Sequence, residues 1–355
     1  MTTNEKILFK ELCSFRHPLT TDFLKDASPE LLGHLFYNRM QGIAYGQLKT
    51  SNSLNNVNRE FKTSLAKAYE QNIIQNKSYR KCLEYISNIL KNQSSKVVML
   101  KGAYLCLHYP EGYRTSNDID LLLAPEDVTT IGNILIKEGF KQGNIKNDQF
   151  IEATRKEIIS SKMLRGETVP YIKEVNLPYL KYLEVDLNFS LDYKNSSSHI
   201  LKDLLNNSIT LVENGVELPL LNKTDFFIHL CVHLYKEATT LPWIEMKRDM
   251  TLYKYCDIYF LLSEMNTKDI KDMFIRAEKL GIAQICAYAI LETSKLFLEI
   301  PYDATVLAFS QIVGDQAFMR RIIDPSKNKT YLYQTYDTET RFFLNDRLYD
   351  LKEEQ

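Results

Sequence analysis

Twice between residues 97 and 123 the chain turns apolar for a few residues and then stops. Val97-Val98-Met99-Leu100 ends at Lys101-Gly102, and Asp118-Ile119-Asp120-Leu121-Leu122-Leu123 ends before Pro125. Apolar runs this short, bounded by turn residues, read as strands, and a strand that meets glycine just before a helical stretch reads as a strand-to-helix corner. A buried strand needs paired neighbours and a cover, so this part of the chain must build a sheet packed on helices. On either side the period changes. Tyr79, Cys82, Leu83, Ile86, Ile89 and Leu90 recur at helical steps, Asn52 to Asn58 reads as a loop between helices, and helical patterns dominate towards the C-terminus.

With 355 residues the chain has room for two domains or three closely packed segments. The patterns predict an α+β fold divided into an N-terminal helical segment (1–92), a sheet-bearing core (93–221) and a C-terminal helical domain (222–355). Inside the core, Pro125-Glu126-Asp127 opens an amphipathic helix that Gly139 closes. Residues 143–178 are charged and irregular and are expected to form an insertion or loop that touches an acceptor. Leu183 to Leu191 alternates apolar with polar residues, as a strand with one buried face does. A hairpin at Asn214-Gly215 follows, and then Asn222 or Thr224 as the cap of a helix through His229 and His233.

Lys and Arg total 44 against 45 for Asp and Glu, so no global positive field draws in long nucleic acid. No apolar run approaches the ~20 residues needed to cross a bilayer, so no membrane partner is expected. The first residues, Met1 to Lys6, lack the apolar stretch of an export signal, and the expected compartment is the cytoplasm. Six cysteines stand singly, without a Cys-x-x-Cys pair, and read as reduced core thiols.

Asp118 and Asp120 are two apart on a strand, so both carboxylates leave one face while Ile119 and Leu121 leave the other. Paired hard oxygen donors favour Mg²⁺ or Mn²⁺, and two such ions can clamp the attacking and leaving oxygens of a phosphoryl displacement. On the alternating strand, Asp186 supplies a third carboxylate, and Glu184 shares its face and rivals it. Lys101-Gly102-Ala103 at the strand-to-helix corner is the candidate phosphate cradle, with Arg114 as a further cation. Asp-x-Asp alone occurs about once by chance in such a chain. A similar acid pair at Asp337-Thr338-Glu339 has no strand around it and is discounted. His229 and His233 share a helical face, but no third ligand accompanies them, and they read as structural, as does Asp257.

The ordered set Val98-Met99-Leu100-Lys101-Gly102-Ala103-Tyr104-Leu105, Tyr109-Pro110, Arg114, Asp118-Ile119-Asp120-Leu121-Leu122 and Val185-Asp186-Leu187, with Phe227 to Leu234, resembles the uncharacterised nucleotidyltransferase family of the DNA polymerase beta superfamily. That resemblance implies a polymerase-beta-like core, a small mixed sheet with helices. It also implies Asp118, Asp120 and Asp186 as the catalytic, metal-binding triad, with Asp186 helping to deprotonate the acceptor, and Gly102 as the start of the phosphate-binding helix. The activity it implies moves a nucleoside monophosphate from an NTP, with ATP the expected donor, to a hydroxyl or phosphate of a small molecule, peptide or protein. Some relatives modify peptide natural products. The alternatives are a phosphotransferase on the same fold and an inactive nucleotide-binding regulatory module.

Overall fold

The computed structural model describes residues 1–19, 22–191 and 198–354. Helices α1 (Thr3–Cys13), α2 (Pro29–Tyr37) and α3 (Gln41–Thr50) lead into the long α4 (Arg59–Leu90). The chain continues through β1 (Val97–Met99), α5 (Gly102–His108), β2 (Asp118–Leu123), α6 (Val128–Lys137), β3 (Lys141–Lys146), β4 (Gln149–Glu152) and α7 (Arg155–Arg165). Next come β5 (Tyr171–Leu177), β6 (Leu180–Asn188), α8 (Ser198–Asn206), β7 (Ile209–Glu213) and β8 (Val216–Leu220). Helices α9 (Lys223–Ala238), α10 (Leu241–Glu245), α11 (Leu252–Leu262), α12 (Thr267–Lys279), α13 (Ala283–Leu296) and α14 (Tyr302–Ile312) follow. Strands β9 (Arg321–Asp324) and β10 (Lys329–Tyr333), helix α15 (Thr338–Phe342) and strand β11 (Leu351–Glu353) complete the chain.

The fold is α+β, as the sequence predicts. Its division differs in detail from boundaries after 92 and 221. One compact unit is Glu70–Phe226, and the other joins both ends of the chain, Met1–Tyr69 with Phe227–Gln355. The reason lies in α4, which runs without a break through position 69/70. Its apolar residues Tyr79, Cys82, Leu83 and Ile86 share one core with Ile119, Leu121, Val185 and Leu187 of the sheet and Ile131 and Leu135 of α6.

The sheet of the Glu70–Phe226 unit runs in the order β4-β3-β5-β6-β2-β1-β8-β7. At its centre β2 lies parallel to β6 and antiparallel to β1, and β1 pairs parallel with β8. The hairpin predicted at Asn214-Gly215 is present, with Glu213 opposite Val216, and Asn214 and Gly215 both take the positive φ that such a tight turn demands. Asn222 caps α9, its side-chain oxygen accepting from the Asp225 N–H at 3.0 Å.

Residues 143–178 are not a loop. They hold β4, α7, β5 and most of β3, turning at Asn147-Asp148, where both residues have positive φ. A capping box at Thr154 and Glu157 starts α7. Charged residues at the exposed positions of β3 and β5 hide the alternation from the sequence. The C-terminal part likewise carries a three-stranded sheet, β11-β10-β9, that helical periodicity did not announce. Among the described residues no helix is long and apolar enough to cross a membrane.

Candidate active site

Parallel pairing of β2 with β6 sets Asp118 opposite Glu184, Asp120 opposite Asp186 and Leu122 opposite Asn188. Ile119, Leu121, Val185 and Leu187, one residue out of step with the acids, are all fully buried on the opposite face. Four carboxylates therefore share one face of two adjacent strands, spaced by the ~4.8 Å between paired strands and the ~6–7 Å between alternate residues. Asp120 is buried, at 5% exposure, and Asp118, Glu184 and Asp186 are half-buried.

The ionisation of these groups follows from their neighbours. Burial raises the Asp118 carboxyl, but the Lys101 ammonium, the Ser116 hydroxyl and Arg114 outweigh it and hold the group below its usual range. For Asp120, burial prevails over Lys101, and the charge of Asp118 adds to the upward shift. Asp186 is pushed up furthest, first by burial, then by Asp120, Asp118 and Glu167, with only Lys101 opposing. Glu184 rises through burial and the charge of Asp118. On β6, Asp186 thus feels the charges of three other acids and Glu184 that of one.

The corner after β1 feeds this face. The Leu100 N–H donates to the Asp120 carbonyl at 2.9 Å, and Lys101 then takes φ 40° and ψ −103° to turn the chain into α5. That turn brings Lys101 Nζ to 3.0 Å from Asp120 Oδ1, the oxygen that also accepts from Asn188 Nδ2 at 3.3 Å. The neighbouring cradle residues face inward. Ala103 is fully buried and its N–H donates to the Leu100 carbonyl at 3.1 Å. A Cβ on Gly102 would lie 2.6 Å from Ser116 Oγ and 2.7 Å from the Tyr79 hydroxyl, so glycine is required there by close packing.

Several supporting residues escaped the sequence reading. Asn72, Gln75, Asn76 and Tyr79 form a polar stripe on α4 at helical spacing. They reach the carbonyls of Gly112 (2.9 Å), Ser116 (3.3 Å), Arg114 (2.7 Å) and Asp118 (2.9 Å), which fixes the loop that delivers β2. Ser116 Oγ donates to Asp118 Oδ1 at 2.7 Å. The Arg114 guanidinium donates to the Thr115 carbonyl and stabilises the Asp118 charge. Glu167, one residue past the end of α7 at Gly166, bridges by backbone to Asn188 and adds a further acid near Asp186. The signal for the stripe in the sequence is its helical spacing along a helix that also carries an apolar face.

Among the described residues no three His, Cys, Asp or Glu side chains are gathered tightly enough to hold a metal ion. The donor set nonetheless suits a hard divalent cation. Its members are all carboxylate oxygens, and their mutual repulsion, which adds to burial in raising Asp120 and Asp186, is what such a cation would relieve.

Elsewhere the other candidates have protein partners. His229 and His233 stack with ring centroids 6.4 Å apart, and His233 Nε2 lies 3.4 Å from Glu237 one turn on. Asp337 caps α15 through the Thr340 N–H. The six cysteines are buried and form no disulfide.

No curated protein matches the sequence. One solved structure, described as an antigenic nucleotidyltransferase-like protein from Paracoccidioides brasiliensis, aligns with 57% of this chain and 90% of its own at 14% identity and a TM-score of 0.33. The model of a family described as uncharacterised nucleotidyltransferases matches residues 27–298, well over half of the chain and all of the acid-bearing sheet, and the protein therefore belongs to that family.

Proposed function

We propose that the protein transfers a nucleoside monophosphate from an NTP, with ATP the expected donor, to a hydroxyl or phosphate of a small molecule or peptide and releases pyrophosphate. The observation that carries this reading is the register of β2 and β6, which aligns Asp120 with Asp186 and Asp118 with Glu184 on one face beside the Lys101 ammonium. Displacement at phosphorus needs positive charge held against the phosphoryl oxygens and a group that takes the proton of the attacking hydroxyl. Asp118, Asp120 and Asp186 would hold Mg²⁺ or Mn²⁺, whose contribution is to neutralise the phosphates. Asp186 would also help to take the proton of the attacking hydroxyl.

The test is incubation with α-³²P- and γ-³²P-labelled NTPs, a divalent cation and a panel of acceptors. Transfer of the α label with pyrophosphate release is expected, and Asp120→Asn should lower it by at least ~10²–10³. Transfer of the γ label would make the protein a phosphotransferase. Undiminished α transfer in Asp120→Asn would remove the assigned site.

A further inference from the structure

We infer that Lys101 is a built-in counter-ion of the acid face, an ammonium that occupies Asp120 in the metal-free protein and yields that oxygen to a divalent cation when one binds. This rests on the reading of the site given above and adds a positioning residue to it.

Three observations on the structure carry the inference. The first is backbone geometry. Lys101 has φ 40° and ψ −103°, a conformation that L residues rarely adopt and that costs on the order of 1–3 kcal/mol. Glycine would take it with less strain, so what lysine supplies at this point is its side chain. Second, the ammonium is placed at 3.0 Å from Asp120 Oδ1, and Asp120 lies directly opposite Asp186 in the register of β2 and β6. The third is stoichiometry. Lys101 and Arg114 stand against four carboxylates, Asp118, Asp120, Glu184 and Asp186, so the acids outnumber the cations, and Asp120 Oδ1 is the atom at which Lys101 and Asn188 already meet. A cation held between Asp120 and Asp186 would lie beside the same carboxylate as the ammonium, and two positive charges that close repel each other strongly. Lys101 can withdraw, since it is a point charge on a flexible stem and its side chain is still 22% exposed.

The experiment titrates Mn²⁺ alone into nucleotide-free protein by calorimetry, with melting curves in chelator and in Mn²⁺. Lys101→Met is expected to bind Mn²⁺ about tenfold or more tightly than the natural chain, because a competing positive charge is gone. Mn²⁺ should also raise its melting temperature by more than it raises that of the natural protein. Lys101→Arg, which keeps the charge, should stay close to the natural affinity. Lys101→Gln is the second neutral variant, used if the methionine variant does not fold. Equal or weaker Mn²⁺ binding by the neutral variants, with Asp120→Asn still abolishing it, would overturn the role of Lys101 and leave the site intact. Mn²⁺ binding that Asp120→Asn does not affect would instead overturn the site reading, and this inference with it.

Discussion

Glu292 and Asp249 are as thoroughly buried as Asp120, yet each has a guanidinium of its own, whereas Asp120 divides one ammonium with Asp118 and Asp186. Arg341 meets Glu292 at 2.8 Å, and Thr338 donates to the other carboxylate oxygen at 2.9 Å. Arg347 grips Asp249 with two bonds of 2.7 Å, and Tyr333 adds a third at 3.3 Å. Those pairs lie in the unit built from the two chain ends, where each of the two carboxylates has a guanidinium and a hydroxyl donor of its own. In the sheet of the other unit the acids outnumber their cations. Matched burial fixes a fold, while unmatched burial is a standing deficit that a ligand can fill.

The largest effect is expected from unbalancing a matched pair. Arg341→Met leaves Glu292 buried without its guanidinium and should destabilise the protein by ~3–5 kcal/mol in chemical denaturation. Adding Glu292→Met should recover most of the loss, because the pair replaced by apolar groups leaves no stranded charge. A double variant no more stable than Arg341→Met would break the contrast. Next in size is Asp186→Asn, which should cut nucleotidyl transfer by ~10²–10³, about 3–4 kcal/mol of barrier, without a comparable loss of folding stability. Equal losses of folding and activity would place Asp186 with the structural acids.

Smaller again is the corner that carries Lys101. In Gly102→Ala the new Cβ would meet Ser116 Oγ at 2.6 Å and the Tyr79 hydroxyl at 2.7 Å, a crowding worth ~1–3 kcal/mol. Both opposing groups belong to the frame that holds β2, so Ser116→Gly combined with Tyr79→Phe should restore part of the stability. Normal stability in Gly102→Ala with NTP affinity lost would show that glycine is needed for the ligand and not for packing.

What could be read in the sequence was whatever depends on neighbours along the chain. The strand Asp118–Leu123, the shared face of Asp118 and Asp120, the Asn214-Gly215 turn and the Asn222 cap are all local patterns. The choice between Asp186 and Glu184 was not legible, because it turns on the register with β2 and on Glu167, which sequence spacing does not contain. Nor was the pairing of Lys101 with Asp120, nineteen positions apart and decided by one unusual φ. Strands β3 to β5 escaped because their exposed positions carry Lys and Glu. The joining of both chain ends into one unit rests on packing that no local period reports.

The smallest effect tests the sign of the deficit. Asp186 has a folded-state pKa well above the ordinary carboxylate value, so in the window between the two the native state binds a proton that the unfolded chain has released. Stability therefore falls as pH rises through that window, and above it the buried charge is a fixed penalty. Asp118 runs the other way. Its folded pKa is lowered, so its contribution is present above the unfolded value and is lost as pH falls through the folded one. In metal-free protein Asp186→Asn should thus gain stability at neutral pH, on the scale of ~0.5–2 kcal/mol typical of stabilising changes, and the gain should shrink on acidification. Asp118→Asn should lose stability at neutral pH instead. Denaturation of the two variants and the natural chain in chelator between about pH 4 and 8 compares them directly, and differences taken at each pH cancel the other titrating groups, Glu292 included. Two curves of the same sign would mean that Lys101 and Ser116 do not divide the acid face as the geometry indicates, and that its carboxylates share their cation evenly.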